Sequence, residues 1–286
     1  MLIVGDHPFD LSCESQVREW PSNTVIFLPS LALGMNLLQH LLPAGWVGNS
    51  VRRLLIAVVV TLAFTVLARL LRGVSATGAI AGSLICLLIF VSTGPAGFAM
   101  LASVFILAWV STRIGYLRKQ RMGTAEKRDG RKASQVLANL SIAAVCGLLY
   151  GVSGHAAFLV ASAAALAEPA ADTVSSEVGQ ARSEVARLIT TGERVPAGAN
   201  GGITFVGSSA GVVAALLVGL VGAAGGLIPR GALWATVVAG TLGMIADSYL
   251  GAVFEGRNLN NDAVNFLGTL CAALAGATAW RLTAGS

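Results

Sequence analysis

The sequence predicts an all-α, polytopic integral membrane protein, a helical bundle with about eight transmembrane helices within a range of seven to nine. Of its 286 residues, 55% are hydrophobic and only 12% are charged, and the mean hydropathy is +0.75. These values lie far outside the range of soluble domains. The 34 glycines suit helices that pack closely in lipid, because small side chains let helix backbones approach. Residues 51–286 are therefore expected to form a single membrane domain.

Each predicted span is an apolar window of about 20 residues, the length that crosses a hydrocarbon core of about 30 Å. The windows are 53–71, 76–94, 96–112, 135–153, 155–175, 203–228, 231–254 and 263–281.

Residues 1–50 form an N-terminal extension. Their stretch 24–44 is apolar but holds Pro29, Pro43 and several polar residues. It is interpreted as an interfacial helix or one extra span, and the interfacial helix is favoured. The acidic start of the chain lacks the basic residues of a signal or transit peptide, so we expect the N-terminus to be retained.

The basic residues set the expected orientation. They are concentrated in one segment, which contains Arg113, Arg118, Lys119, Arg121, Lys127, Arg128, Arg131 and Lys132. By the positive-inside rule this loop is cytoplasmic. Counting spans from it places loops 176–202 and 255–262 on the same face and the connections near 154 and 229 on the other. We expect a multi-pass protein of the inner cell membrane with a cytoplasmic active face.

Several classes of function are not indicated. The basic residues flank spans in short segments, which argues against a nucleic-acid partner. The four cysteines show no CxxC spacing, so neither a zinc site nor a disulfide framework is predicted. No HExxH motif of metal-dependent hydrolases is present.

Three acids lie inside predicted spans. Glu168 and Asp172 are spaced i, i+4 and share a helix face, and Asp247 has apolar sequence on both sides. An intramembrane carboxylate usually faces a polar cavity, a partner or a metal. The alternative for Glu168, Asp172 and the neighbouring Glu177 is a structural ion pair with Arg182 or Lys132.

An amide-rich cluster precedes the last span. Asn261, Asp262 and Asn265 belong to it, and amide and carboxylate oxygens are the ligands that Mg²⁺ prefers. Helix capping by Asn261 or Asp262 is the alternative. A weak repeat, with Ala-Asp-Thr at 171–173 and Ala-Asp-Ser at 246–248, would bring Asp172 and Asp247 to similar depths; chance similarity in Ala/Gly-rich sequence is equally compatible.

A glycine-rich loop at 190–202 leads into a helix that is expected to start near Thr204. Glycines let backbone N–H groups approach phosphate oxygens, and a helix N-terminus favours an anion. A plain flexible loop is the alternative. Gln135 and Asn139, spaced i, i+4 at the start of a span, suit a phosphate or base contact on the same face.

Four segments together resemble a known family. They are GRKASQVLAN, AADTVSSEVG, LITTGERVPAGANGGITFVGSSAG, and GMIADSYLGAVFEG followed by NNDAVNFLGT. The set is similar to the domain-of-unknown-function-92 family, which includes transmembrane protein 19 of animals and the plant phytyl-phosphate kinase. The likeness runs from about Gly73 to the C-terminus.

The resemblance implies a kinase that transfers the terminal phosphoryl group of CTP to a phytyl- or geranylgeranyl-type isoprenoid monophosphate. On that reading the catalytic residues are Asp172, Asp247 and Lys132. The nucleotide- and phosphate-binding residues are Arg194, Gly198, Asn200, Gly201, Gly202, Gln135 and Asn139. The ligands of the Mg²⁺ cofactor are Asp172, Asp247, Asn261, Asp262, Asn265 and Glu168.

Two alternatives of other classes stay open. A transporter or ion carrier would use the intramembrane carboxylates as a relay. A CTP-using lipid cytidylyltransferase would share the nucleotide and metal requirements but release diphosphate.

Overall fold

The computed structural model describes residues 49–126 and 129–284, which form eight helices and three short strands. The helices are α1 (Asn49–Leu70), α2 (Ala76–Arg113), α3 (Tyr116–Met122), α4 (Ala133–Ser153), α5 (Ala156–Arg182), α6 (Phe205–Ala224), α7 (Ala232–Phe254) and α8 (Asn261–Ala284). The strands are β1 (Val185–Leu188), β2 (Arg194–Pro196) and β3 (Gly202–Ile203). The predicted interfacial helix or extra span at 24–44 lies outside the described residues.

Seven of the described helices are long and apolar enough to cross a membrane. They coincide with the apolar windows, and the predicted all-α membrane bundle is confirmed. Many large apolar side chains lie on the outer surface of the bundle; Leu62 and Val66 of α1, for example, are each 57% exposed. Such a surface is suited to contact with lipid.

Helix α2 is a helical hairpin. Its backbone breaks at Gly94, where φ is 74° and ψ is −168°, immediately before Pro95. The indole N–H of Trp109 donates a hydrogen bond to the carbonyl of Leu71 over 3.1 Å, although a straight helix would separate Trp109 from Ala76 by about 50 Å. The arms 76–93 and 95–113 therefore run in opposite directions. They match the two separate windows 76–94 and 96–112, so the seven helices make eight crossings.

The long polar connections gather at one end of the bundle, which we call the polar end. The N–H of Ser75 donates to the carbonyl of Arg131 over 2.9 Å, and the N–H of Arg131 donates to the carbonyl of Gly73 over 3.1 Å. Gly201 likewise lies against Ala252 at the end of α7. The predicted convergence of the polar loops on one face is thus seen in the structure, and the assignment of that face to the cytoplasm stays a prediction.

Helix α5 forms the centre of the bundle and packs against α2, α4, α6, α7 and α8. Its middle is a run of buried alanines. The small side chains allow close approach: a β-carbon added to Gly240 of α7 would lie 2.8 Å from Ala167, and one added to Gly276 of α8 would lie 2.8 Å from Ala164. Glycine and alanine thus permit this tight packing around α5.

The three strands form an antiparallel sheet in the order β2-β1-β3 at the polar end. Ala186 of β1 pairs with Val195 of β2, and Leu188 pairs with Gly202 of β3. The sequence predicts only a loop here, whereas the structure has a small sheet. This sheet holds residues 197–204, which we call the glycine loop, next to the ends of α5 and α7.

Candidate functional site

A cavity of about 260 Å³, the polar cavity, opens at the polar end between α4, α5, α7, α8 and the glycine loop. Most of the predicted site residues line it: Gln135, Asn139, Asp172, Gly198, Asn200, Gly201, Gly202, Asp247, Asn261 and Asn265. Residues from five separate segments of the sequence thus meet in one place.

Four predicted site residues do not line this cavity. Lys132 and Arg194 are exposed at the polar end, and Asp262 is half-buried at the start of α8. Glu168 is 1% exposed and lies one helical turn from Asp172 towards the middle of α5. The structure therefore does not bring these four side chains to the cavity wall, and the described cation on the wall is Arg131, the neighbour of Lys132.

Asp172, Asp247 and Glu168 form an acidic group at and beneath the cavity floor. They lie within electrostatic range of one another, and Glu168 and Asp247 both approach Gly268 of α8. Glu168 Oε2 and Asp247 Oδ2 are buried and have no hydrogen-bond partner among the described residues. Buried oxygens of this kind require a compensating charge or donor.

Arg131 supplies positive charge beside these acids. It is the only basic residue among the described residues that line the polar cavity, against the carboxylates of Glu126, Asp172, Glu177, Asp247 and Glu255. Its backbone is held by the pairing with residues 73–75, and its Nη2 donates to Thr173 Oγ1 over 3.1 Å. The cavity therefore carries an excess of negative charge, which favours a divalent cation, with one fixed guanidinium.

The glycine loop forms another part of the cavity wall and suits an anion. Gly198 and Gly201 have φ values of 92° and 72°, in the left-handed region that glycine adopts readily. No carbonyl among the described residues accepts from the N–H of Asn200 or Gly201. Helix α6 then starts after its N-cap Thr204, whose Oγ1 accepts from the N–H of Gly207 over 3.0 Å. The predicted helix start at Thr204 is confirmed, and its positive end faces the loop.

The first turn of α8 contributes amide oxygens to the polar cavity. Asn260 caps this helix, because its Oδ1 accepts from the N–H of Ala263 over 2.9 Å. Capping is thus done by Asn260 rather than by Asn261 or Asp262, and Asn261 and Asn265 are left to line the cavity. Glu255 lines the same region, and partial burial raises the pKa of its carboxyl.

Within residues 49–126 and 129–284, no three His, Cys, Asp or Glu side chains are grouped closely enough to hold a metal ion by themselves. Of the six predicted Mg²⁺ ligands, Glu168 and Asp262 do not line the polar cavity, whereas Asp172, Asp247, Asn261 and Asn265 do. Mg²⁺ usually takes one or two carboxylates and completes its shell with waters and substrate phosphates. The two carboxylates and two amides on the cavity wall are therefore the residues that could hold such an ion.

A buried ion pair supports the cavity and was not predicted. Lys119 of α3 is fully buried, and its ammonium contacts the Glu177 carboxylate and donates to the carbonyl of Thr112 over 3.0 Å. The ion pair considered from the sequence joined Glu168, Asp172 or Glu177 to Arg182 or Lys132. The observed partner of Glu177 is Lys119. The 58 residues between Lys119 and Glu177 leave no local pattern that would reveal the pair.

A second cavity, of about 360 Å³, lies beside the first and is enclosed by α1, both arms of α2, and α4. We call it the apolar cavity because hydrophobic side chains such as Phe64, Leu101 and Val136 dominate its lining. It shares Glu126, Arg131, Gln135 and Asn139 with the polar cavity. We call these four residues the shared wall.

Comparison with known proteins agrees with this architecture. Residues 59–273 match the family of integral membrane proteins named DUF92, and the chain belongs to that family. It is therefore a multi-pass integral membrane protein.

Three relatives illustrate the range of the family. Protein VTE6, chloroplastic, of Arabidopsis thaliana is 32% identical over 208 residues, which are 69% of this chain and 62% of VTE6, so the chain covers less than two thirds of that relative. The uncharacterized membrane protein MJ0933 of Methanocaldococcus jannaschii is 32% identical over 231 residues, 78% of this chain and 93% of that protein. The uncharacterized membrane protein sll0875 of Synechocystis is 31% identical over 192 residues, which are 65% of this chain and 74% of that protein. No solved structure matches the chain.

Proposed function

We propose that this protein is a membrane-embedded kinase that converts an isoprenoid monophosphate, of phytyl or geranylgeranyl type, to the diphosphate with CTP as donor. The observation that supports it most directly is the polar cavity. Asp172 and Asp247 line it together with the glycine loop, which ends at Thr204, the N-cap of α6. The family resemblance, which extends to a plant phytyl-phosphate kinase, points to the same reaction.

Phosphoryl transfer needs positioning and charge stabilisation, and the glycine loop and the carboxylates of the cavity can supply them. The N–H groups of the glycine loop and the start of α6 would hold the nucleotide phosphates. Asp172, Asp247, Asn261 and Asn265 would hold Mg²⁺, which when bound neutralises charge on the nucleotide phosphates.

In the proposed reaction, an oxygen of the acceptor phosphate forms a bond to the γ-phosphorus of CTP. The bond from that phosphorus to the bridging oxygen breaks, and CDP leaves with the electron pair. The acceptor is a phosphate monoester that is largely ionised at neutral pH, with a second pKa of about 6, so a strong general base is not needed. Arg131, fixed by Thr173, would offset charge on the acceptor phosphate.

We place the polar end on the cytoplasmic side of an inner cell membrane, where CTP is available. The basic segment between α2 and α4 supports this orientation by the positive-inside rule.

The test uses purified protein in detergent with Mg²⁺, geranylgeranyl monophosphate, and CTP labelled in either the α or the γ position. Label from the γ position alone should appear in geranylgeranyl diphosphate. Transfer of the α label into lipid would instead identify a cytidylyltransferase. Absence of transfer from any nucleoside triphosphate by folded protein would refute the kinase and favour transport.

Two matched variants locate the reaction. Asp247→Asn removes a cavity carboxylate, and Asp262→Asn removes a nearby carboxylate that lies outside the cavity. Transfer should fall by at least about 100-fold in the first, in the range for loss of one group that stabilises charge in the transition state, and should stay within about twofold in the second. Equal activity in the two variants would show that the polar cavity is not the site.

A further inference from the structure

We propose that the apolar cavity is the binding site for the isoprenoid chain of the acceptor, with the acceptor phosphate at the shared wall. This inference rests on the proposed function, since it names where that substrate binds. A cavity of about 360 Å³ is within the usual size range of ligand sites, about 300–1,000 Å³.

The shared wall sets the orientation expected for a bound amphiphile. Arg131, Gln135 and Asn139 face the apolar cavity on one side and the polar cavity on the other. An amphiphile with one charged end can therefore leave its chain among α1, α2 and α4 while its phosphate reaches the side that holds Asp172. Gln135 Oε1 accepts from the backbone N–H of Lys132 over 2.8 Å, which leaves its amide N–H groups available to donate to a phosphate.

The charged residues that line the apolar cavity are three arginines and one carboxylate, Glu126, so its polar rim is basic on balance. Arg72, in the turn between α1 and α2, lines it, as does Arg113, whose guanidinium lies 3.7 Å from the centre of the Trp109 ring. Arg72 has a φ of 55°, the only positive value among non-glycine residues in the described chain. Positive charge is thus located at the end where the chain of the amphiphile meets its phosphate, and the deeper lining is apolar.

Three glycines, one in the turn before α2 and two on its first arm, show which position leaves room for a ligand. A β-carbon at Gly73 would lie 2.5 Å from the Phe105 ring, and one at Gly78 would lie 2.1 Å from the carbonyl oxygen of Arg131, so these glycines permit packing within the protein. A β-carbon at Gly82 would contact only Val136, at 4.0 Å. Gly82 lies one helical turn, about 6 Å, deeper than Gly78. Because Gly82 has no side chain, the space beside it is part of the apolar cavity.

The experiment measures equilibrium binding of labelled geranylgeranyl monophosphate to the full-length protein without nucleotide, for Gly82→Ala, Gly82→Leu and Gly82→Phe. Affinity should fall in that order, by about tenfold or more for Gly82→Phe, because filling an apolar site discriminates on this scale. The matched control Leu84→Phe changes a side chain of the same arm that is 56% exposed on the outer surface, and it should leave affinity unchanged. A thermal unfolding transition in detergent close to that of the wild type verifies that each variant is folded.

The outcomes separate this inference from the kinase itself. Unchanged lipid binding across the series in a protein that still transfers phosphate would overturn the chain site and leave the kinase intact. Binding that is lost along the series in a protein without transferase activity would support the chain site and refute the kinase. Equal competition by geranylgeraniol, which has no phosphate, would overturn the role of the shared wall and identify a groove for bilayer lipid.

Discussion

The contact of Gly201 with α7 allows a sharp test of the glycine loop. Gly201 and Gly192 have nearly the same left-handed backbone, with φ values of 72° and 73°. They differ in surroundings: a β-carbon at Gly201 would lie 2.3 Å from the Ala252 β-carbon and 2.8 Å from the carbonyl oxygen of Ser248, whereas one at Gly192 has nothing within 4 Å. The pair of variants Gly201→Ala and Gly192→Ala therefore separates backbone strain from steric displacement.

The expected magnitudes follow from this difference. The left-handed conformation costs an alanine about 1–2 kcal/mol, and this cost should appear in the unfolding free energy of both variants. Only in Gly201→Ala must the loop also move, by roughly 1 Å, to restore van der Waals contact with α7. A displacement of that size at a reacting centre can reduce the rate by about 100-fold.

Two measurements on each variant test the reasoning. Thermal unfolding in detergent should show destabilisation of both variants, larger for Gly201→Ala because of its steric contacts. The CTP-dependent transfer assay should show a loss of about 100-fold for Gly201→Ala with little change for Gly192→Ala. Equal transfer rates in the two variants would refute the view that the glycine loop is held against α7 to bind the nucleotide.

Three further predictions concern the acids, the amides and the ion pair of the site. Lys119→Met should destabilise the protein by about 3–5 kcal/mol because it leaves the Glu177 carboxylate buried without its partner, and adding Glu177→Leu should recover most of the loss in thermal unfolding; the absence of recovery would contradict the pairing. Asn265→Ala should raise the Mg²⁺ concentration for half-maximal transfer about tenfold, and an unchanged Mg²⁺ titration would remove Asn265 from the ligand set. Burial raises the pKa of Glu255 above its ordinary value of 4.5, so its ionisation opposes folding: the wild type should lose stability relative to Glu255→Gln as pH rises above 4.5, and the difference should level off above the raised pKa. A melting-temperature difference independent of pH would show that the carboxyl is not perturbed.

Much of the membrane architecture could be predicted from the sequence because lipid imposes simple rules on length and composition. The apolar windows located the spans, including both arms of α2, since each arm is long enough to cross. The prediction that the polar loops share one face followed from the same count. The cavity acids Asp172 and Asp247 could be identified because a carboxylate within an apolar run is costly and therefore rare.

The fine structure of the site depends on contacts between distant segments, which no local pattern encodes. Lys132 is predicted as a catalytic residue, but the basic side chain on the cavity wall is that of Arg131. The choice between these neighbours is set by the pairing of residues 73–75 with Arg131 and by Gly130, whose φ is 77°. Similarly, the short strands β1 to β3 form where the sequence shows a glycine-rich loop.

The composition of α5 has a consequence for how the protein is made. Among the seven candidate spans this helix is the least hydrophobic and the most buried, and it carries Glu168 and Asp172. A carboxylate near the middle of an isolated helix raises its insertion free energy by about 2.5–3.5 kcal/mol. The helix that bears the site is thus the one least able to remain in the bilayer alone. It packs against α2 and α4, which the ribosome produces before it, and against α6, α7 and α8, which the ribosome produces afterwards, so its burial is complete only once the last three helices have been made.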